Sequence, residues 1–211
     1  INKIAHNHIL SFLNLIKELI VMGSVMKVKP LGTAFVDSSH ATENFSDLKK
    51  TLAGSFHETP SNLIMYKTLL TFDLSMVYFP IEFAHLCLYV KDINTDSSYY
   101  SNNNLCFYKN MNPFDINTVT WNTTPETSDV NQVLVDENSV GSYIKIDVSR
   151  FVNSWIDTGN NYGMTIESHN YYTSLIKFAS LSSNNPPWLL VQYKDSTYSY
   201  TQPNNKYHSN R

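Results

Sequence analysis

The clearest pattern in the chain lies between Tyr143 and Ser168. Apolar and polar residues alternate from Tyr143 to Val148, which is typical of a half-buried strand. The apolar residues then recur at helical spacing, at Val148, Phe151, Val152, Trp155 and Ile156. Asp147 or Ser149 can cap the start of this helix, and Gly159 is suited to end it. Alternation returns over 162–167. The pattern therefore predicts a strand, one short helix at about 148–157, a turn and a second strand.

Short runs with strand character continue along most of the chain, broken by Asn, Ser, Gly and Pro. The expected strands are 33–37, 51–56, 64–74, 82–90, 105–109, 118–121, 143–148, 162–167, 175–179 and 188–193. This spacing indicates an all-β protein, an antiparallel β-sandwich with jelly-roll-like topology. The connections 92–104 and 122–141 are longer than usual, and long loops often carry binding sites.

Several short motifs follow one another in a distinctive order. They are Phe-Asp-Leu-Ser at 72–75, Val-Thr-Trp-Asn at 119–122, Asp-Val-Ser-Arg-Phe-Val-Asn-Ser-Trp at 147–155, and a closing Pro-x-Leu-x-Val-x-Tyr at 187–193. From about residue 33 to 194, the chain resembles the DNRLRE domain, which is also classed as the family 96 carbohydrate-binding module. The core signature of this resemblance comprises Phe72, Asp73, Trp121, Asp147, Phe151, Trp155, Tyr162 and Trp188.

The resemblance implies a non-catalytic β-sandwich found on secreted and surface proteins of bacteria, some of which bind acidic polysaccharide. One position departs from the family pattern. The tryptophan and glutamate often found just before the Val-Thr-Trp-Asn motif are Phe114 and Ile116 here. A site that depends on that glutamate is therefore not expected.

The resemblance divides the chain into an amino-terminal extension (1–32), the sandwich (33–194) and a polar tail (195–211) expected to be poorly ordered. Residues 1–21 have two interpretations. They are translated leader DNA, because Lys17-Glu18 can be encoded by a ribosome-binding sequence placed before a start codon at Met22. Alternatively, they form an amphipathic helix that packs on the domain or a partner. The segment lacks the features of a signal peptide.

Composition narrows the class of partner. Charged residues make up 16% of the 211 residues, below the ~25% of average soluble domains. Polar uncharged residues and tyrosine replace them, as in many extracellular β-proteins, so we expect a location at the cell or spore surface. A net charge of −3 argues against nucleic acid as a partner. No apolar run is long enough to predict a transmembrane segment.

The two cysteines leave a single possible disulfide. Alternation places Ala84, Leu86 and Leu88 inward and Cys87 outward, and it places Cys106 outward on its own strand. The two thiols could meet only if these strands were hairpin neighbours. Two unrelated free thiols are the alternative.

Catalytic and metal chemistry have little support in the sequence. No histidine lies in a recognisable catalytic motif, so we expect a protein that is not an enzyme and has no organic cofactor. Asp92, Asn94 and Asp96 place oxygen ligands at alternate positions, as at the start of a Ca²⁺ loop. The glycine and glutamate expected further along are Ser97 and Asn103. Turn formation is the ordinary explanation of these residues.

Sugar binding needs flat aromatic rings and side chains that form hydrogen bonds with hydroxyl groups. Aromatic pairs in predicted loops have no core to fill, and they lie beside polar residues. The predicted carbohydrate-binding residues are Tyr99, Tyr100, Asn102, Tyr108, Lys109, Tyr171 and Tyr172. Lys109 and Lys177 are the basic residues expected near an acidic polysaccharide. The alternative function is a structural subunit of a spore coat, appendage or surface filament that self-associates or binds other surface proteins without a glycan ligand.

Overall fold

The computed structural model describes residues 25–77, 81–95, 102–170 and 173–194. Within these ranges, residues 25–193 form one compact unit. Residues 1–21 and 195–211, together with Asp96, Tyr99, Tyr100, Tyr171 and Tyr172, lie outside the described residues. In the described part of the chain, no helix is long and apolar enough to cross a membrane.

The described residues form eleven strands and one α-helix. They are β1 (Val25–Val28), β2 (Pro30–Asp37), β3 (Lys50–Thr59), β4 (Asn62–Phe72), β5 (Ile81–Asn94), β6 (Asn104–Asn110), β7 (Thr127–Leu134), β8 (Tyr143–Asp147), α1 (Ser149–Thr158), β9 (Met164–Ser168), β10 (Leu175–Ala179) and β11 (Trp188–Tyr193). Short 3-10 turns occur at Trp121–Thr123 and Glu137–Ser139.

The named strands pair in antiparallel fashion and form two sheets that share hydrogen bonding. Sheet I has the order β1-β11-β5-β8. In sheet II, β4 pairs with both β2 and β9, and β9 leads through β6 to β7. The end of β5 pairs with β10, β10 pairs with β3, and β3 pairs with β4. The result is a curled, all-β sandwich with one helix among the described residues, as the sequence pattern predicts.

Helix α1 closes the main core. Its buried residues Phe151, Val152 and Trp155 join the inward-facing residues of both sheets in one apolar cluster. Contacts with β5 position the helix, because the Val148 N–H donates to the Ala84 carbonyl (2.9 Å) and the Ala84 N–H donates to Ser149 Oγ (2.9 Å). The prediction of a helix with a buried Trp155 is confirmed.

A second, smaller apolar cluster lies on the outer face of sheet II. It consists of Ala34, Val36, Leu69 and Val119, with Phe114, Ile116 and Trp121 packed against it. The segment 111–126 therefore covers part of this face. The strand expected at 118–121 is wrong: Val119 closes a turn on the Asp115 carbonyl (2.9 Å), and Trp121 begins a 3-10 turn. Their apolar side chains fill the small cluster instead of a strand's inward face.

Two edge strands were not expected from the sequence. Strand β7 lies inside the connection predicted as a loop over 122–141, and all of its side chains are exposed or half-buried. A strand with so few apolar residues gives little periodic signal. Strand β1 is only four residues long, which is too short to give a clear alternating pattern. Because of this strand, the described β-structure begins at Val25 rather than near residue 33.

The two cysteines are free and buried. Cys87 lies on β5 in sheet I, whereas Cys106 lies on β6 in sheet II, and these strands do not pair with each other. The expected side-chain directions agree with the structure, because neither residue belongs to the main cluster while Leu86, Leu88, Leu105 and Phe107 do. The condition for a disulfide is not met. Burial arises because other side chains cover both outward positions.

Candidate functional site

The outer face of sheet I is unusually rich in aromatic and apolar side chains. Alternation along β5 directs Ala84, Leu86 and Leu88 into the main core. The intervening positions therefore face outward, and they include Phe83, His85, Cys87 and Tyr89. A solvated face of an antiparallel sheet normally carries polar residues at such positions. These outward residues have no core of their own to fill.

Three rings from three strands form a continuous row on this face, which we name the aromatic row: Trp188, Tyr143 and Tyr89. Trp188 and Tyr143 have ring centroids 4.1 Å apart, and Tyr143 and Tyr89 have centroids 5.2 Å apart. The register places Tyr143 opposite Tyr89. The three side chains are half-buried. Each therefore retains surface that a ligand can contact.

Local contacts hold Tyr143 at the centre of the row. Its hydroxyl donates to the Pro186 carbonyl at 3.2 Å, which anchors the ring against the turn before β11. Burial raises the pKa of Tyr143 above its usual value, and nearby Cys87 and Tyr89 add to the increase. The phenol therefore remains protonated at neutral pH and keeps its donor hydrogen.

Two exposed lysines flank the aromatic row. The Lys27 ammonium lies 3.7 Å from the Trp188 ring centroid, and Lys145 occupies the position opposite Cys87. Within the described residues, neither lysine forms an ion pair with an acidic side chain. Burial raises the pKa of the Cys87 thiol, while the charges of Lys145 and Lys27 oppose part of that increase. Both ammonium groups are therefore close enough to Cys87 to influence its ionisation.

The edge of the face beyond β5 carries Asp147, the outward residue opposite His85. Its carboxylate accepts hydrogen bonds from the Ser149 hydroxyl (2.5 Å) and the Ser149 N–H (2.9 Å). These bonds hold the pKa of Asp147 below its usual value. A cleft of about 260 Å³ adjoins this edge, lined by Val130, Asn131, Asp147, Val148, Arg150 and Phe151. Asp147 thus forms hydrogen bonds at the start of α1 rather than with the aromatic row.

The two loop segments expected to bind sugar are followed by residues that lie close together in the fold. Asn102 and Thr173 form an isolated parallel bridge, and the Ser174 N–H donates to the Asn102 carbonyl at 2.7 Å. Asn102 directly follows the segment 96–101, and Thr173 directly follows 171–172. The structure therefore brings the described ends of these two segments together, while Tyr99, Tyr100, Tyr171 and Tyr172 themselves lie outside the described residues.

Tyr108 and Lys109 point to different sides of sheet II and do not form one site. Burial, with a smaller effect of Cys106, raises the pKa of Tyr108 to about 12. Lys109 bonds Ser154 Oγ at 2.9 Å and Asp129 at 3.0 Å, beside α1. Lys177 is paired with Asp92 at 3.0 Å. Both lysines expected to attract an acidic polysaccharide are therefore already neutralised by carboxylates.

The Asp92–Lys177 pair also bears on the expected Ca²⁺ ligands. Asp92 and Asn94 end β5, where Asn94 pairs with Leu175 of β10. A cation at Asp92 would have to compete with the Lys177 ammonium. Within 25–77, 81–95, 102–170 and 173–194, no group of three or more His, Cys, Asp or Glu side chains is arranged to hold a metal ion.

The core signature residues occupy several kinds of position. Phe72, Phe151 and Trp155 are buried in the main cluster. Asp73 is exposed and accepts from the Ser75 N–H at 2.8 Å, which lowers its pKa and forms a turn after β4. The half-buried positions are Trp121, Tyr162 and Trp188. The register of β11 directs Trp188 outward, away from the main cluster.

Sequence reasoning missed the residues of this face because they come from distant segments. The outward alternation of Tyr143 and Lys145 was visible, but nothing local indicated that Tyr89 and Trp188 would lie beside them. The sequence signal that could have revealed this face was the aromatic and apolar character of the outward positions on β5. A strand that is apolar on both sides carries either a second core or a binding surface.

A family model matches most of the chain. Residues 24–193 match the model of carbohydrate-binding module family 96, which spans both sheets, α1 and the aromatic row. No curated protein matches the chain.

Proposed function

Because the chain belongs to carbohydrate-binding module family 96, we propose that it is a non-catalytic module that binds polysaccharide on the outer face of sheet I. The observation that carries this proposal is the aromatic row of Trp188, Tyr143 and Tyr89, with neighbouring ring centroids 4.1 and 5.2 Å apart. Aromatic rings supply large apolar contact area at little cost in side-chain entropy, which suits the C–H faces of sugar rings.

The two flanking lysines favour a polymer with acidic sugars. Lys27 lies on β1 and Lys145 on β8, three strand spacings apart, or about 15 Å across the face. One sugar residue is too small to contact both ammonium groups and the row between them, whereas a chain of several residues can. Carboxylates on such a chain would pair with the lysines, which have no acidic partner in the described part of the protein.

Binding requires a local change at Trp188. The Lys27 ammonium lies over this ring at 3.7 Å, where a sugar would stack. A cation–π contact at an exposed site contributes only about 0.5–1 kcal/mol, so a ligand can displace the ammonium. A carboxylate on the incoming sugar would then receive it. The low content of charged residues, 16%, supports a location at the cell or spore surface, where such polymers occur.

Affinity electrophoresis tests the proposal. The protein is run through native gels that contain alginate, polygalacturonate, xylan or galactomannan, and retardation gives the dissociation constant. We expect retardation by an acidic polymer that weakens as salt is added. Trp188→Ala removes the ring at one end of the row and should cost about 2 kcal/mol, or ~30-fold in affinity. Lys145→Ala should weaken binding and reduce its salt dependence.

Lys49→Ala is the matched control, because Lys49 is also exposed but precedes β3, outside the strands that carry the aromatic row. This variant should bind as the unmodified protein does. Retardation that is equal in Trp188→Ala and the unmodified protein would refute the assignment to this face. Retardation by none of the four polymers would count against acidic polysaccharide as the ligand class.

A further inference from the structure

The outer face of sheet II carries a second group of sugar-compatible side chains, which we name the Trp121 cluster: Trp121, Lys67, Glu167 and Tyr108. Lys67 Nζ lies 2.7 Å from Glu167 Oε2 and 5.0 Å from the centroid of the Trp121 ring. The Lys67 and Glu167 side chains are 23% and 20% exposed. Tyr108 is half-buried on the neighbouring strand.

Sheet register explains why these residues meet. On β9, Glu167 pairs with Cys106, and Thr165 pairs with Tyr108. Thr68 pairs with Ile166, which faces the core, so Lys67 and Glu167 both face outward. The covering segment 111–126 lies over the β2 and β4 side of this face and brings Trp121 to Lys67.

Beyond the covering segment, the face opens toward β7. Gln132 pairs with Cys106, and Val130 pairs with Tyr108 and is 42% exposed. The Trp121 cluster therefore lies where a covered part of the sheet meets an open part. An indole on one side, polar groups beside it and the exposed Val130 beyond provide contacts for one flat, hydroxyl-rich ring.

We propose that the Trp121 cluster is a second saccharide site, specific for an uncharged sugar residue. The Glu167 carboxylate accepts hydrogen bonds from sugar hydroxyls, and the Lys67 ammonium donates to them, so the pair matches two adjacent hydroxyl groups of one sugar. The indole of Trp121 provides the apolar surface for the C–H face. An acidic sugar is disfavoured, because its carboxylate would approach Glu167 and compete for the same ammonium.

The phenol of Tyr108 fits this chemistry. Burial, with a smaller effect of a hydrogen bond to Cys106, raises its pKa to about 12, so its hydroxyl stays protonated at physiological pH. The cluster thus differs from the aromatic row in charge. Its lysine is paired with a carboxylate, whereas Lys27 and Lys145 on sheet I are not paired in the described residues.

Two sites on the outer faces of different sheets would make the module bivalent. This consequence rests on the proposed function of sheet I, whereas the Trp121 cluster can bind on its own. A bivalent module can hold an acidic chain on one face and a neutral chain on the other, and linked sites raise overall avidity.

Fluorine NMR of protein labelled with 5-fluorotryptophan separates the two sites. The chain has three tryptophans, so Trp121, Trp155 and Trp188 give three resonances that single Trp→Phe variants assign. The probes are neutral hexasaccharides of mannose, xylose and glucose, and an alginate hexasaccharide. We expect a neutral probe to shift the Trp121 resonance and leave the buried Trp155 unchanged, while the alginate probe shifts Trp188.

Glu167→Gln should weaken neutral-probe binding about tenfold, because a hydrogen bond to a charged acceptor is lost. Lys49→Ala, at an exposed lysine outside both proposed sites, should leave it unchanged. The proposal is overturned if no neutral probe shifts Trp121, or if Glu167→Gln binds as tightly as the unmodified protein. An unchanged Trp155 resonance shows that each variant is folded. If the function proposed for sheet I is wrong, the alginate probe will instead leave the Trp188 resonance unchanged.

Discussion

Substitution of Gly163 by alanine tests how tightly β9 is held against β4. Gly163 precedes β9 and has a φ of 73°, which side chains other than glycine rarely adopt. A Cβ at this position would lie 2.1 Å from the Leu70 carbonyl oxygen and 3.2 Å from Thr71 Cα. These atoms belong to the backbone of β4 and cannot rotate away. Either β9 or β4 must shift, although Leu70 and Met164 are register partners.

Two terms contribute to the expected loss of stability. Left-handed backbone costs a non-glycine residue about 1–2 kcal/mol. Forced displacement of packed groups costs about 1–3 kcal/mol more. Gly163→Ala should therefore lower the free energy of unfolding by about 2–5 kcal/mol. Gly159 has a similar φ of 70° but no atom within 4 Å of the added Cβ. Gly159→Ala should carry only the first term, about 1–2 kcal/mol.

Urea denaturation followed by tryptophan fluorescence measures both variants under identical conditions. The difference between them isolates the collision with β4, because the backbone term is common to both. The Asn110 N–H donates to the Gly163 carbonyl at 3.1 Å, so displacement of Gly163 should also weaken contact with the end of β6. Equal losses in Gly163→Ala and Gly159→Ala would refute the close approach of the two strands.

Three further outcomes follow from buried or hydrogen-bonded groups. Trp155→Ala should lower the free energy of unfolding by about 3–5 kcal/mol, because Trp155 is 2% exposed; a loss below about 1 kcal/mol in urea denaturation would contradict its core position. Ser149→Ala should raise the pKa of Asp147 in a ¹³C NMR titration; since the folded pKa is lowered, the stability that Ser149 adds is present near pH 7 and disappears as the pH falls through that pKa. Cys87 and Cys106 should react slowly with iodoacetamide in the folded protein, because burial raises both thiol pKa values; rapid alkylation by mass spectrometry would show that the outer faces are open there.

Regular apolar spacing made much of the fold accessible to sequence reasoning. Helix α1 spans Ser149–Thr158, within a residue or two of the expected 148–157, because Phe151, Val152 and Trp155 share one side at helical spacing. The strands Leu175–Ala179 and Trp188–Tyr193 agree with the expected bounds. Strand β7 was missed for the opposite reason: an edge strand with polar, exposed side chains needs only backbone pairing with β6, which leaves no periodic signal.

The candidate sites show the same limit. The sequence indicated loop tyrosines as candidate sugar-binding residues, because an aromatic pair between strands has no local core to fill. It could not indicate that Lys109 and Lys177 would be neutralised by Asp129 and Asp92, since each carboxylate lies on a different strand from its lysine. Nor could it show that Trp121 would lie beside Lys67, because that contact depends on how the segment 111–126 folds over sheet II.

What the sequence determined by itself is local: which residues alternate, which share a helical side and which can cap or turn. These properties depend on backbone geometry over a few residues, and they were sufficient for the fold class and the main core. The tertiary structure decided which outward side chains are neighbours. Trp188, Tyr143, Tyr89 and Lys27 lie on four strands separated by dozens of residues, and only the register of sheet I brings them together. Register is set by the burial of the opposite, inward side chains, so the proposed binding face results from packing of the core on the other side of the sheet.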